Sequence, residues 1–84
     1  MKVVVRSIGP LAAALGGKEV AVEVSDGASL AALLSHLARG RPEVANWIAR
    51  PDALQVFRSR SPLRGEEPLR DGDLLDLVVA VAGG

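Results

Sequence analysis

The sequence predicts an α+β fold in which a mixed β-sheet packs on one main helix. Three stretches support this prediction. Residues 18–24 read KEVAVEV, in which three valines alternate with other residues at the period of a strand that buries one face. Residues 29–40 read SLAALLSHLARG, the pattern of an amphipathic helix, and residues 74–81 read LLDLVVAV, the most β-prone run in the chain. Such strands around one helix are typical of a roll with the helix on one face of the sheet.

The first half of the chain predicts a β-hairpin followed by the main helix. Residues 2–8 form the first strand, and residues 11–17 form a short helix that leads to the strand at 18–24. Ser29 is a favourable N-cap for the main helix, which Gly40 ends. Leucines at helical spacing give this helix an apolar stripe that packs on the sheet: Leu30, Leu33, Leu34 and Leu37.

The second half of the chain predicts a short helix and two more strands. Residues 42–50 have helical spacing, with Trp47 covering the core rather than stacking on a ligand. Residues 54–58, LQVFR, form the third strand. The turn at 68–73 leads into the last strand, at 74–81.

Composition limits the functions that the chain can have. The chain has 84 residues, 49% of them hydrophobic, and no cysteine, which predicts one domain over 1–84 with a flexible tail at 81–84. Ten Lys and Arg balance ten Asp and Glu, so no net charge attracts nucleic acid or anionic lipid. No apolar run has the length of a membrane span, and the first residues read as a strand rather than a signal peptide. We therefore expect a cytoplasmic protein without nucleic-acid or membrane partners.

The interior of the sequence offers no catalytic or metal-binding motif. His36, the single histidine, is expected to be an exposed or partly packed helix residue. Asp71 and Asp73 flank a glycine, but the other ligand positions of a calcium loop are missing. The sequence contains no glycine-rich phosphate loop. We therefore expect no catalytic residues, no metal and no bound cofactor.

The ending VAVAGG is the most informative stretch. Glycine has no Cβ, so a tail formed by Val81, Ala82, Gly83 and Gly84 can enter a narrow channel in a partner. At ~3.3 Å per residue, this tail spans roughly 13 Å. A terminal carboxylate is inert until an ATP-dependent enzyme converts it to an acyl-adenylate, which a sulfur donor or an amine can then capture. The expected reactive group is therefore the carboxylate of Gly84.

Three stretches resemble a known family. They are IGPLAAALGGKEVAVEV at 8–24, DGASLAALLSHLA at 26–38 and PLRDGDLLDLVVAVAGG at 68–84. Together they resemble the ubiquitin-like (β-grasp) sulfur carriers of the MoaD/ThiS family, which include the small subunit of molybdopterin synthase and the thiazole-forming carrier of thiamine synthesis. The resemblance covers nearly the whole chain and implies a β-grasp roll.

The resemblance also implies a mechanism. An adenylating enzyme of the ubiquitin-activating type, using ATP, activates Gly84, and a sulfur donor converts it to a thiocarboxylate. The tail then inserts into an acceptor synthase and donates its sulfur in molybdopterin-type or related sulfur-containing metabolite biosynthesis. The acceptor is the molybdopterin synthase large subunit or a cysteine-synthase or secondary-metabolite enzyme. The chain is thus a protein cosubstrate, at most the small subunit of a synthase, and no enzyme.

Two departures from the family leave alternatives open. Many relatives have Asn-Gly where this chain has Ser59-Arg60, so we expect the hairpin to turn near Arg64-Gly65 instead. Val79-Ala80 replaces a diproline of the molybdopterin members, which leaves the pathway open. Two other functions also fit the residues: a ubiquitin-like modifier conjugated to lysines through its terminal glycine, and a β-grasp interaction module with an incidental Gly-Gly.

Alternation in the third and last strands predicts a partner-binding surface. If Leu54 and Val56 pack under the helix, Phe57 lies on the open face of the sheet together with Val78 and Ala80. An exposed apolar patch of this kind usually marks a partner site. The opposite register would bury Phe57 in the core.

Overall fold

A computed structural model describes residues 1–50 and 52–79 of the chain. The predicted strands and helices occur in the predicted order, with one additional short strand. They are β1 (Lys2–Arg6), α1 (Gly9–Leu15), β2 (Glu19–Glu23), α2 (Leu30–Ala38), α3 (Pro42–Ile48), β3 (Leu54–Arg58), β4 (Ser61–Pro62) and β5 (Leu74–Val79).

The strands form one five-stranded sheet in the order β2-β1-β5-β3-β4. β1 and β5 are parallel, whereas the β1–β2, β3–β5 and β3–β4 pairs are antiparallel. The last strand of the chain is therefore the central strand of the sheet. A mixed sheet packed on one main helix confirms the predicted α+β class.

The core lies between the sheet and α2. Leu33 of α2 and Leu75 of β5 are fully buried, and Leu34 is partly buried beside them. The predicted apolar stripe therefore faces the sheet. The strands contribute alternate residues to this core, among them Val3, Val5, Val22, Val56 and Leu77.

The polar loop before β5 completes the first turn of α2. Ser29 caps the helix, as predicted. The N–H groups of Leu30 and Ala31 donate to the carbonyl oxygens of Glu67 (3.0 Å) and Gly65 (2.9 Å). The first N–H groups of a helix have no acceptor within the helix. The carbonyl oxygens of this loop therefore accept hydrogen bonds from donors that would otherwise be unpaired.

The Asp-Gly-Asp turn joins β5 to both of its neighbours. Asp73 Oδ2 accepts hydrogen bonds from Arg58 Nη2 and from the Arg70 N–H, both at 2.8 Å. Asp71 Oδ1 accepts from the Lys2 N–H at 2.8 Å. The two carboxylates therefore bind the ends of β3 and β1.

The β3–β4 hairpin corrects one prediction. It turns at Ser59 and Arg60, not near Arg64-Gly65, because the pairing of β3 with β4 leaves only these two residues between the strands. Their φ angles are 51° and 69°, and positive φ at both positions is the pattern of a type I′ turn. The hairpin thus keeps this geometry with two residues that are not the Asn or Gly usually found there. Strand β4 was not predicted.

Other boundaries differ only slightly from the predictions. The first strand ends at Arg6, and α1 already begins at Gly9, because Pro10 is well accommodated in a first helical turn. Positions 80 and 81 of the predicted last strand lie outside the described residues. None of the helices in the described parts of the chain has the length and apolar character needed to cross a membrane.

We expect Asp73→Ala to lower the free energy of unfolding by about 2–3 kcal/mol. The substitution removes two charge-assisted hydrogen bonds and leaves the mostly buried Arg58 without its carboxylate. Chemical denaturation measures the change. Asp52→Ala is the control, since Asp52 is exposed and forms no ion pair with any described residue. Equal stability of the two variants would contradict this role of Asp73.

Candidate functional site

The sheet face away from α2 carries the exposed apolar side chains. Within the described chain, the exposed large hydrophobic residues are Ile8 (73% exposed), Leu74 (41%) and Val78 (50%). Leu74 and Val78 alternate with buried residues of β5, so they point to the open face. Ile8 follows β1 at the end of the sheet where Val78 lies, because Arg6 is paired with Asp76 in the parallel β1–β5 register. Ile8 and Val78 thus form one patch, from which Leu74 is separated by Asp76 on the same face of β5.

A shallow depression of about 620 Å³ lies in this patch. Phe57, Ile8 and Val78 are its apolar lining residues on the open face. Phe57 is opposite Asp76 in the β3–β5 ladder, and Gln55 is opposite Val78, so Phe57 and Val78 are diagonal neighbours on one face. We call this depression and its lining the open-face depression.

The structure has the register that places Phe57 outside the core. Val56 is 5% exposed and belongs to the core, whereas Phe57 is half-buried and does not. Val78 is on the same face, as predicted. Ala80, the third residue of the predicted surface, lies outside the described residues. The role of this surface in binding a partner stays a prediction.

An ion pair crosses the open-face depression. Arg6 Nε donates to Asp76 Oδ1 at 2.9 Å, and Arg6 Nη2 donates to Asp76 Oδ2 at 3.2 Å. The hydrogen bond to Asp76, and secondly the negative charge of Asp76, raise the pKa of Arg6. A bidentate contact of this kind fixes both side chains between neighbouring strands. The depression therefore has a charge pair beside its apolar lining residues.

Sequence reasoning missed this pair, although the strands contain a signal for it. Arg6 and Asp76 are each a charged residue within a largely apolar strand. Each falls on the open face by alternation, but only the parallel register shows that they are neighbours. Sequence reasoning also missed Ile8, because the first strand was expected to extend through it.

The other candidate residues do not form a second site. His36 is exposed on α2, as expected. Arg58 is held by Asp73, and Arg64 is exposed and 3.4 Å from Glu66. Among the described residues, no group of His, Cys, Asp and Glu side chains is arranged to hold a metal ion.

The predicted reactive terminus follows directly after the open-face depression in the chain. Val78 lines the depression, and Val79, the last described residue, is partly buried against the core. The predicted tail, consisting of Val81, Ala82, Gly83 and Gly84, lies outside the described residues. Its insertion into a partner and the chemistry at Gly84 therefore stay predictions.

Comparisons with known proteins give a family match for the sequence and a fold match for the structure. A model of the ThiS family matches residues 5–84. SAMP1 from Haloferax volcanii has a TM-score of 0.84 at 24% identity, with all of both chains covered. A putative molybdopterin converting factor, subunit 1, from Pyrococcus furiosus has a TM-score of 0.81 at 18% identity, covering 96% of this chain and 99% of that one.

A third solved structure is a complex of subunits 1 and 2 of the molybdopterin-converting factor from Helicobacter pylori. It has a TM-score of 0.66 at 21% identity, and all of both compared chains are covered. At these identities the three structures show the fold alone, which is the ubiquitin-like β-grasp fold expected from the sequence. No curated protein sequence matches the chain.

We expect Phe57→Ala to weaken binding of a macromolecular partner by about tenfold while the fold is kept. Tenfold corresponds to about 1.4 kcal/mol, a common loss for an aromatic residue truncated within an interface. Binding to an adenylating enzyme of the ubiquitin-activating type, measured by calorimetry beside a thermal melt, tests this. Val56→Ala is the matched control: its side chain is in the core, so it should lower stability more and binding less. A larger loss of stability in Phe57→Ala than in Val56→Ala would contradict the assignment.

Proposed function

We infer the function from one premise: the chain belongs to the ThiS family, whose model matches residues 5–84. We propose that it is a sulfur carrier, a protein cosubstrate that delivers sulfur from its C-terminus to an acceptor enzyme. The observation that carries this proposal is the extent of the family match, which includes the terminal Gly83 and Gly84. The chain does no chemistry alone, since its part is to present a carboxylate to other enzymes.

The proposed reaction begins at the carboxylate of Gly84. One of its oxygens attacks the α-phosphorus of ATP in the active site of an adenylating enzyme, and pyrophosphate leaves. Hydrosulfide released by the sulfur donor then attacks the carbonyl carbon, the C–O bond to AMP breaks and AMP leaves, and loss of the S–H proton gives a thiocarboxylate on Gly84. AMP is a far better leaving group than hydroxide, so the ATP makes the substitution feasible.

In the proposed function, the open-face depression and the C-terminal tail have different roles. The open-face depression offers an apolar patch next to the start of the last five residues. An apolar patch gives affinity through burial, whereas a terminal Gly-Gly gives access to a narrow active site. We propose that the adenylating enzyme binds this patch through Phe57 and Val78, with Ala80 extending it, while Gly84 reaches the ATP.

The acceptor of the sulfur is proposed to be a synthase. The Helicobacter pylori structure is a complex of two subunits of a molybdopterin-converting factor, and its resemblance to this chain favours a synthase partner. The acceptor is a molybdopterin synthase large subunit or a cysteine-synthase or secondary-metabolite enzyme. We propose that the proteins meet in the cytoplasm, where ATP is available.

One other function has a specific observation in its favour. The similarity to SAMP1, whose name in a second structure is small archaeal modifier protein 1, favours a ubiquitin-like modifier. In that function, a lysine amine instead of a sulfur nucleophile attacks the activated Gly84, and an isopeptide bond forms. An interaction module with an incidental Gly-Gly is the alternative in which Gly84 is never activated.

We expect removal of Gly84 to abolish ATP-dependent adenylation with little change in stability. The carboxylate moves back by ~3.3 Å, and a 1 Å misplacement can already cost roughly a hundredfold in rate. The buried core that the described residues form lies within residues 3–77, and we expect a terminal residue beyond it to contribute little to stability. The adenylating enzyme encoded in the same genome, assayed by pyrophosphate release beside a thermal melt, provides the measurement.

Two further variants test the free carboxylate of Gly84 and the width of the tail at residue 83 separately. One added residue after Gly84 converts its carboxylate to an amide, so adenylation of the glycine is blocked. Gly83→Val keeps the carboxylate but adds a branched side chain, which a narrow channel excludes. Normal adenylation of the Gly84 deletion would contradict the proposed function.

A further inference from the structure

The charges around the open-face depression are unequal. Its charged lining residues are three cations, Arg6, Lys18 and Arg60, and two carboxylates, Glu19 and Asp76. Both oxygens of Asp76 already accept hydrogen bonds from Arg6. The net charge of the lining is therefore positive, although the chain as a whole has no net charge.

Arg60, like Lys18, is a lining cation without an ion-pair partner among the described residues. Arg60 is also exposed. By contrast, Arg58 on the same hairpin is held by Asp73, and Arg64 lies near Glu66. Arg60 thus adds a positive charge to the margin of an apolar patch without stabilising the fold through a partner of its own.

The backbone at Arg60 is costly for an arginine. Its φ angle is 69°, in the left-handed region where a side chain is disfavoured and glycine or asparagine is preferred. A strained residue in a tight turn often has a function that offsets its cost. Here the strained position carries a long cationic side chain into the lining of the depression.

We propose that Arg60 is a specificity-determining residue that pairs with a carboxylate of the adenylating enzyme. The inference rests on the proposed function, in which that enzyme covers the open-face depression. The complementary surface is apolar where it meets Phe57 and Val78 and acidic where it meets Arg60. Charges at the margin of an interface raise the association rate and select among partners, while the apolar centre supplies most of the affinity.

The test compares Arg60→Asn with Arg64→Asn. Each removes one positive charge, but only Arg60 lines the depression. Pyrophosphate exchange by the adenylating enzyme from the same genome is measured against carrier concentration. We expect Arg60→Asn to raise KM about three- to fivefold with kcat unchanged, as for the loss of one exposed charge pair. The increase should disappear at about 0.5 M salt, where exposed charges are screened. Arg64→Asn and Arg60→Lys should have the KM and kcat of the wild type.

The same variant separates function from stability. Asparagine accepts positive φ more readily than arginine, so Arg60→Asn should raise Tm by about 4 °C, which matches relief of this strain. Ser59→Asn, which leaves the charge intact, should also raise Tm but keep the wild-type KM. A residue with only a structural role would not change stability and KM in this combination.

Several outcomes would overturn the inference. The first is a wild-type KM in Arg60→Asn. The second is a KM in Arg64→Asn that rises as much as in Arg60→Asn. The third is a KM of Arg60→Asn that stays raised at high salt. If the wild type is adenylated and Arg60→Asn has the same KM, the inference about Arg60 is wrong and the proposed function stands. If the wild type is not adenylated at all, the proposed function fails together with the inference.

Discussion

The contact between Asp73 and Arg58 is the constraint on which the functional face depends. It fixes the turn that leads into β5 against the end of β3, while Asp71 fixes the same turn against the start of β1. β5 can therefore enter the sheet between two strands that are distant from each other in sequence. Because β5 is the central strand and precedes the terminus that is proposed to react, this turn determines where the chain leaves the sheet toward that terminus.

The two faces of β5 lie in different environments. Leu75 and Leu77 belong to the core, whereas Val78 remains exposed beside Phe57. An apolar side chain left partly in water contributes less to folding than a buried one, and exposed apolar residues that lie together usually mark a partner site. The Arg6–Asp76 pair keeps this face ordered without making it uniformly apolar. Such a surface suits the reversible binding that the proposed carrier function requires.

Local sequence patterns predicted most of the fold. The cap at Ser29, the leucine stripe of α2 and the alternation in β3 and β5 are short-range signals, and each is found in the structure. The position of the β3–β4 turn was predicted wrongly, because Ser59 and Arg60 have none of the local preference that marks a type I′ turn. The pairing of β3 with β4, and not the local preference of the two turn residues, determines the position of that turn.

The site was only partly predictable for a related reason. Phe57 and Val78 could be placed on one face from alternation alone. The pairing of Arg6 with Asp76 joins residues 70 positions apart, which no single sequence pattern reveals. The sequence shows arginines at 58, 60 and 64 without distinguishing them, and the structure separates Arg60 from Arg58 and Arg64 by the ion-pair partners of those two.

The proposed function requires that Gly84 carries sulfur. It is tested most directly by intact mass spectrometry of the protein purified from its native cells under conditions that preserve thiocarboxylates. The proposed function predicts a species heavier by the difference between one sulfur and one oxygen atom, with the change confined to Gly84 in the C-terminal fragment. A C-terminus found only as an unmodified carboxylate, or only in isopeptide linkage to lysines of other proteins, would contradict it.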